Sequence, residues 1–253
     1  MHMFFYVGDF KIPVYGLMIV LGVVIANLIA WYMLLKYQLD GNDFLILEGY
    51  IFLGAIIGSK GLYLWVSRDV IQWTRLLELE YFNTLMKGGF VFYGGIIGGI
   101  LSMILGAKIH HISGKQYIQK LIFLIPLTHG FGRIGCFFAG CCYGTEYDGI
   151  FSVVFPENSM APSGIPLFPV QLVEAIGLFI LALITFFFCK KATSWRGLEI
   201  YLIGYGIFRF GLEFFRNDLE RGFWGSLSTS QWISIFLVIG CLAWMKLKKK
   251  AES

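Results

Sequence analysis

Charge is scarce in this chain. Asp, Glu, Lys and Arg make up 14% of its 253 residues, about half the share usual in soluble domains, and that shortage excludes an ordinary water-soluble fold. The N-terminus has no Lys/Arg cluster followed by a short apolar region and a small-residue cleavage site. Lys11 and Pro13 lead into a full-length apolar run instead, so no cleavage is expected. Internal repeats, low-complexity tracts and soluble domains are absent, and one polytopic membrane domain over residues 1–253 suffices. Five cysteines do not make a secreted disulfide framework, because Cys189 and Cys241 fall inside or at the ends of apolar runs. No nucleic-acid motif is found. The net charge of +4, with Lys246, Lys248, Lys249 and Lys250 at the C-terminal end, suits anionic lipid headgroups better than nucleic acid.

Hydrophobicity is abundant: 57% of residues are hydrophobic and the mean hydropathy is +0.72. A helix needs about 20 mostly apolar residues to cross a bilayer. Such runs lie near 14–35, 44–66, 90–109, 118–138, 169–189, 197–215 and 230–245. Lipid cannot satisfy a backbone amide, so spans must be helices or a closed barrel, and the uninterrupted runs exclude the alternating strands of a barrel. The expected fold is therefore an all-α integral membrane bundle of about seven transmembrane helices. Alternating spans would place Lys36, Lys108, Lys115, Lys120, Lys190, Lys191, Arg196 and the C-terminal lysines on one side. The other side would hold only Lys11, Arg68, Arg75, Lys87, Arg216 and Arg221. Positive charge favours the cytoplasm, which predicts an external N-terminus and a cytoplasmic C-terminus. The longer connections 67–89, 143–168 and 216–229 then lie outside, where the working face is expected.

Ionisable residues at membrane depth are disfavoured by about 2.5–3.5 kcal/mol each, so each needs a reason. In LTHGFGRIGCFFAGCCYG, helical spacing puts His129, Arg133, Cys136 and Gly140 on one face. A second stripe runs through Tyr205, Arg209, Glu213 and Arg216. Glu174 lies one turn from Gln171, and Lys60 follows a run of small residues. Arg209 with Glu213 and Arg133 with Glu174 would be mere neutralising pairs in the bland reading. Two arginines and one lysine against two carboxylates leave positive charge over, however, and arginine presents a planar fork matched to phosphate oxygens. A phospholipid headgroup fits that surplus. Gly94, Gly95, Gly98 and Gly99 have the spacing that lets helices approach closely. Tyr93, just before them, is either an interfacial anchor or a group facing a central cavity.

Cys136, Cys141 and Cys142 admit three readings. A metal site is disfavoured, since C-x4-C-C lacks C-x2-C spacing and a second ligand pair. Inert packing suits small thiols in helix interfaces, and a reactive thiol beside Arg133 is the third reading. A disulfide from Cys136 to either neighbour would distort a continuous helix, whose rise alone separates residues five or six apart by roughly 7.5–9 Å.

Taken in order, VYGL (14–17), GAIIGSKGLYLWV (54–66), GGFVFYGGIIGG (88–99), GRIGCFFAGCCYG (132–144), PVQLVEA (169–175), YGIFRFGLEFFR (205–216) and LSTSQWISI (227–235) form a pattern. It resembles bacterial prolipoprotein diacylglyceryl transferase over nearly the whole chain. The resemblance implies a seven-helix enzyme of the bacterial cell membrane. Such an enzyme moves diacylglyceryl from phosphatidylglycerol to the lipobox cysteine of an exported prolipoprotein, releasing glycerol phosphate, with no cofactor. By position it assigns phosphoglycerol contact to Arg133 and Arg209, with Glu213, Arg216, Gln171 and Glu174 as supporting polar groups. The candidate site is thus Arg133, Arg209, Tyr93 and Glu213 for chemistry, and Tyr15, Lys60, Gly94, Gly95, Gln171, Glu174, Tyr205 and Arg216 for substrate contact. Two motifs depart from the family: Tyr93 stands for its His, and Cys136, Ala139 and Cys141 for its Asn, Asn and Glu. Tyrosine is a poor base at its ordinary pKa near 10, which makes Glu213, Glu174 and His129 rival candidates. Two alternatives follow: a phospholipid-dependent transferase with another acceptor, including relay through Cys136 or Cys141, and a non-enzymatic phospholipid binder or transporter.

Overall fold

A computed structural model describes residues 3–8, 10–191, 195–217 and 222–252. Arg221, one of the charges that set the orientation argument, lies outside the described residues, as does the side chain of Lys191. In chain order the helices are α1 (Val14–Tyr37), α2 (Gly41–Val66), α3 (Leu79–Lys87), α4 (Phe92–Ile109), α5 (Gly114–Leu121), α6 (Leu124–Ala139), α7 (Val170–Lys191), α8 (Arg196–Leu212) and α9 (Thr229–Glu252). Among the described residues three two-stranded antiparallel ribbons accompany them: β1 (Phe4–Val7) with β2 (Phe10–Pro13) before α1, β3 (Val153–Val154) with β4 (Pro166–Leu167) between α6 and α7, and β5 (Phe223–Trp224) with β6 (Leu227–Ser228) between α8 and α9.

The chain is a helical membrane protein. Among the described residues five helices, α1, α2, α4, α7 and α9, are long and apolar enough to cross a bilayer, and α5 with α6 makes a sixth if that pair is one span. Each expected run is helical, but two differ from a simple span. The fourth is broken, with α5 and α6 meeting at 58°. Pro126 explains the break: its ring cannot donate to, and clashes with, the carbonyl four residues back, so a helix must restart nearby. The backbone there bonds Ile125 N to Ile122 O at 3.1 Å and Leu127 N to Phe123 O at 3.3 Å. The sixth, α8, has 17 residues, about 25 Å of helix against a hydrocarbon thickness of about 30 Å.

Two compact units are present. One comprises 36–117 and the other Met1–Leu35 with Ile118–Ser253. Within the 36–117 unit, α2 packs on α4 through the predicted glycines. A Cβ on Gly58 would meet the Gly94 carbonyl, and one on Gly54 would meet Ser102 and the Gly98 carbonyl. Small residues are thus required at this crossing for steric reasons. Asp40 caps α2, accepting from Asn42 N at 2.7 Å and Asp43 N at 3.1 Å.

In the larger unit α6 packs on α7, α7 on α8, and α8 on α9. Gly22 of α1 admits Phe131 of α6, and Gly135 admits Tyr15. The 143–168 connection is not loose. Phe155, Ala161 and Leu167 are buried together, and Phe137 of α6, Tyr143, Val153 and Ile165 pack against them. Backbone bonds from Thr145 N to Phe215 O (2.9 Å) and Asn217 N to Tyr143 O (3.1 Å) tie the end of α6 to the segment following α8.

Candidate functional site

The larger unit buries a line of five charges. Arg133 Nε lies 3.1 Å from Glu174 Oε2, and Arg209 Nη1 lies 3.2 Å from the same oxygen. Arg209 Nη2 is 2.7 Å from Glu213 Oε2, and Arg216 Nη1 is 3.6 Å from it. The order is Arg133, Glu174, Arg209, Glu213, Arg216, drawn from α6, α7, α8 and the 3-10 turn Glu213–Phe215 after it. Glu174 is 2% exposed, Glu213 3% and Arg209 6%, so these charges have protein rather than water around them. Arg133 Nε and Glu213 Oε2 make their contacts as charge pairs outside hydrogen-bond geometry. The two pairs foreseen as neutralising both exist, yet they are links in one array. Three arginines less two carboxylates leave one positive charge over.

Side chains around the array hold it in register. Tyr205 donates to Glu174 Oε1 at 3.2 Å, and His129 meets the Tyr205 ring edge-on with centroids 5.3 Å apart. Arg209 also reaches Ser230 Oγ of α9 at 3.4 Å. Ser230 escaped the sequence reading, although the polar STSQ opening an apolar run was the available signal. Gln171 donates to the Cys141 carbonyl at 2.8 Å, while its Oε1 is buried without a hydrogen-bond partner.

The expected surplus also counted Lys60. Lys60 belongs to the 36–117 unit, where its ammonium donates to the Leu85 carbonyl and to the Gly88 carbonyl at 2.6 Å. Arg216 is the third cation of the array. Tyr93, Gly94 and Gly95 lie in the same unit as Lys60. Tyr93 sits half-buried in the first turn of α4, edge-on to Phe92, and Gly94 is enclosed against α2. Tyr15, Gln171, Glu174, Tyr205, Arg209, Glu213 and Arg216 all join Arg133 in the larger unit.

The cysteines also differ from expectation. Helix α6 stops at Ala139, where Gly140 takes a left-handed φ of 72° and turns the chain; a Cβ there would come within 2.7 Å of Ser159 Cβ. The continuous-helix distance argument therefore fails. Cys136, Cys141 and Cys142 bring their Sγ atoms within 4.8 Å of one another. Hydrogen bonds with Cys136 and Cys141 favour the thiolate at Cys142 against the opposing effect of burial, and the charges of Arg133 and Arg216 add to them.

A family model described as prolipoprotein diacylglyceryl transferase matches residues 2–247. The chain belongs to that family. Among curated relatives, phosphatidylglycerol–prolipoprotein diacylglyceryl transferase 2 of Clostridium perfringens is 37% identical over 243 residues, covering 94% of this chain and 92% of its own. The enzyme named phosphatidylglycerol–prolipoprotein diacylglyceryl transferase from Clostridium tetani is 37% identical over 233 residues (90% of each chain). Its namesake from Bordetella avium is 33% identical over 253 residues (97% and 94%). The charged array thus lies inside a chain related to these enzymes along almost its full length.

Proposed function

We propose that this chain transfers the diacylglyceryl group of phosphatidylglycerol to the lipobox cysteine thiol of a prolipoprotein, releasing glycerol phosphate. The observation that carries the reading is the buried array with one positive charge over, in a chain whose relatives are named for that reaction. A thiolate attacks the glycerol carbon, and the carbon–oxygen bond to phosphate breaks. Negative charge then builds on the departing phosphate. Arg133 and Arg209 are the groups assigned to it, because fixed cations in a site closed to water stabilise developing charge most. Arg216, Gln171, Glu174, Tyr205 and Tyr15 position the headgroup and the arginines. Glu213 orients Arg209.

The whole chain works as one membrane transferase domain, crossing the bacterial cell membrane seven times with α5–α6 and α8 as the two irregular spans. The lysine and arginine bias supports an external N-terminus and a cytoplasmic C-terminus. The test is to incubate purified protein with phosphatidylglycerol and a lipobox peptide and to look for diacylglyceryl-peptide by mass spectrometry. Release of glycerol phosphate without modified peptide would point to another acceptor, a reading favoured by Tyr93, Cys136, Ala139 and Cys141 standing where the family has His, Asn, Asn and Glu. Binding without release would leave only a phospholipid carrier.

A further inference from the structure

Thiol activation is the step the array does not supply. Both of its carboxylates are held by two arginines each. Beside it stand three sulfurs. Cys136 leaves the last turn of α6, while Cys141 and Cys142 come back toward it after the Gly140 turn, with all three Sγ atoms within 4.8 Å of each other. The backbone departs from its preferences to achieve this. Cys142 has a φ of 57°, a left-handed conformation unfavourable for a residue with a side chain, which persists only where its surroundings impose it. The Gln171 bond to the Cys141 carbonyl and the Asn217 bond to the Tyr143 carbonyl hold the turn from two sides.

Zinc bound to thiolates has bonds of about 2.3 Å, so a tetrahedral site has sulfur–sulfur edges of about 3.8 Å. Side-chain rotation by about 1 Å would close the three thiols on such an ion. Three thiolates around a divalent cation carry one negative charge, and the array, with three arginines to two carboxylates, has one positive charge over. Among the described residues no fourth His, Cys, Asp or Glu joins the group. One position of a four-coordinate ion therefore stays open, as in catalytic rather than structural zinc sites.

We propose that Cys136, Cys141 and Cys142 bind a zinc ion whose fourth position receives the acceptor thiol. The inference rests on the transferase reading above and supplies the activating group that Tyr93 does not. Binding of the ion displaces one proton from each of the three thiols. The acceptor thiol coordinates through sulfur and gives its proton to water. Its zinc-held thiolate then forms the sulfur–carbon bond as the carbon–oxygen bond breaks, and the electron pair leaves with glycerol phosphate. Neither oxidant nor reductant takes part.

The test uses the full chain, reduced, stripped of metal and folded in detergent, titrated with Zn2+ or Co2+ alone. One ion per chain is expected, with sulfur-to-cobalt charge-transfer absorption of three thiolates. Adding a lipobox peptide should shift the visible cobalt bands, and its Cys→Ser counterpart should not. Cys136→Ala, Cys141→Ser and Cys142→Ser should each abolish the charge-transfer bands or weaken binding by an order of magnitude or more, whereas Cys241→Ser on α9 should not. Absence of stoichiometric binding in folded protein, or binding untouched by all three changes, overturns the site. Binding without the peptide-dependent shift overturns the open position. Diacylglyceryl-peptide, measured separately, keeps the two claims apart. Transfer that survives complete metal removal sinks the role of the ion alone, and a peptide shift without transfer sinks the transferase reading alone.

Discussion

Glu174 sits between two arginines, and Glu174→Gln removes its charge while keeping its shape and an acceptor for Tyr205. Three arginines against two carboxylates leave one positive charge; against the single remaining carboxylate they leave two. Neither Glu174 (2% exposed) nor Arg209 (6%) can relax into water. Breaking a buried ion pair by removing one partner costs about 3–5 kcal/mol in soluble proteins. Unfolded states within a membrane offer other partners, and polar contacts there are worth about 1–2 kcal/mol or less. A loss of about 2–4 kcal/mol lies between these limits. Reversible unfolding by SDS in mixed micelles, followed by helical circular dichroism, measures it. Phosphatidylglycerol in the micelles should return more stability to the variant than to the parent, because a ligand stabilises the state it binds and the variant offers an extra uncompensated charge. Phosphatidylcholine should not discriminate. A loss below about 0.5 kcal/mol, the scatter of surface substitutions, or equal responses to the two lipids, refutes the reasoning.

Arg133→Lys and Arg209→Lys should each cut diacylglyceryl transfer severely while leaving the protein inserted, because a point charge cannot replace a planar fork on phosphate; near-normal peptide modification in both variants removes the phosphate-clamp assignment. Gly58→Val should loosen the α2–α4 crossing, since its Cβ meets the Gly94 carbonyl rather than a yielding side chain. A cost of about 1–3 kcal/mol is expected, read as a lowered thermal midpoint in detergent. A tag added at the C-terminus should resist impermeant reagents in intact cells and one at the N-terminus should react; the reverse pattern overturns the orientation. Lys60→Met strips a donor from the Leu85 and Gly88 carbonyls, so hydrogen exchange across 85–91 should quicken while the amides of α7 keep their protection.

Each of the seven apolar runs proved helical, because a bilayer imposes one requirement on all spans, whereas α3 in the 67–89 connection has no such run and went unseen. The exceptions arise from local chemistry. Pro126 breaks the fourth run, and in the sixth run the helix is only 17 residues long and ends in a 3-10 turn at Glu213. Membrane-depth charge singled out Arg133, Glu174, Arg209 and Glu213, since lipid makes an unpaired charge costly wherever it falls. Spacing could not say which charges share an oxygen, nor that Lys60 donates to the Leu85 and Gly88 carbonyls, which carry no side-chain signature. The cysteine cluster was hidden for a similar reason. Distances along an ideal helix describe residues 136–142 only if the helix continues, and the left-handed Gly140 ends it.

The alternating order of the buried charges has a further implication for how a ligand would be felt. Each carboxylate oxygen at issue is shared by two guanidiniums, so no arginine can change partners alone. An anion that draws Arg133 away from Glu174 leaves that carboxylate wholly to Arg209, which weakens the hold of Arg209 on Glu213 and strengthens that of Arg216. Occupancy at the α6 end is thereby transmitted, sign by sign, to the turn beyond α8 that is hydrogen-bonded to the cysteine-bearing turn. If a phospholipid headgroup engages Arg133 as proposed, the array behaves as a short polyelectrolyte with two ends, and an acceptor at the far turn would sense that occupancy without any helix having to move.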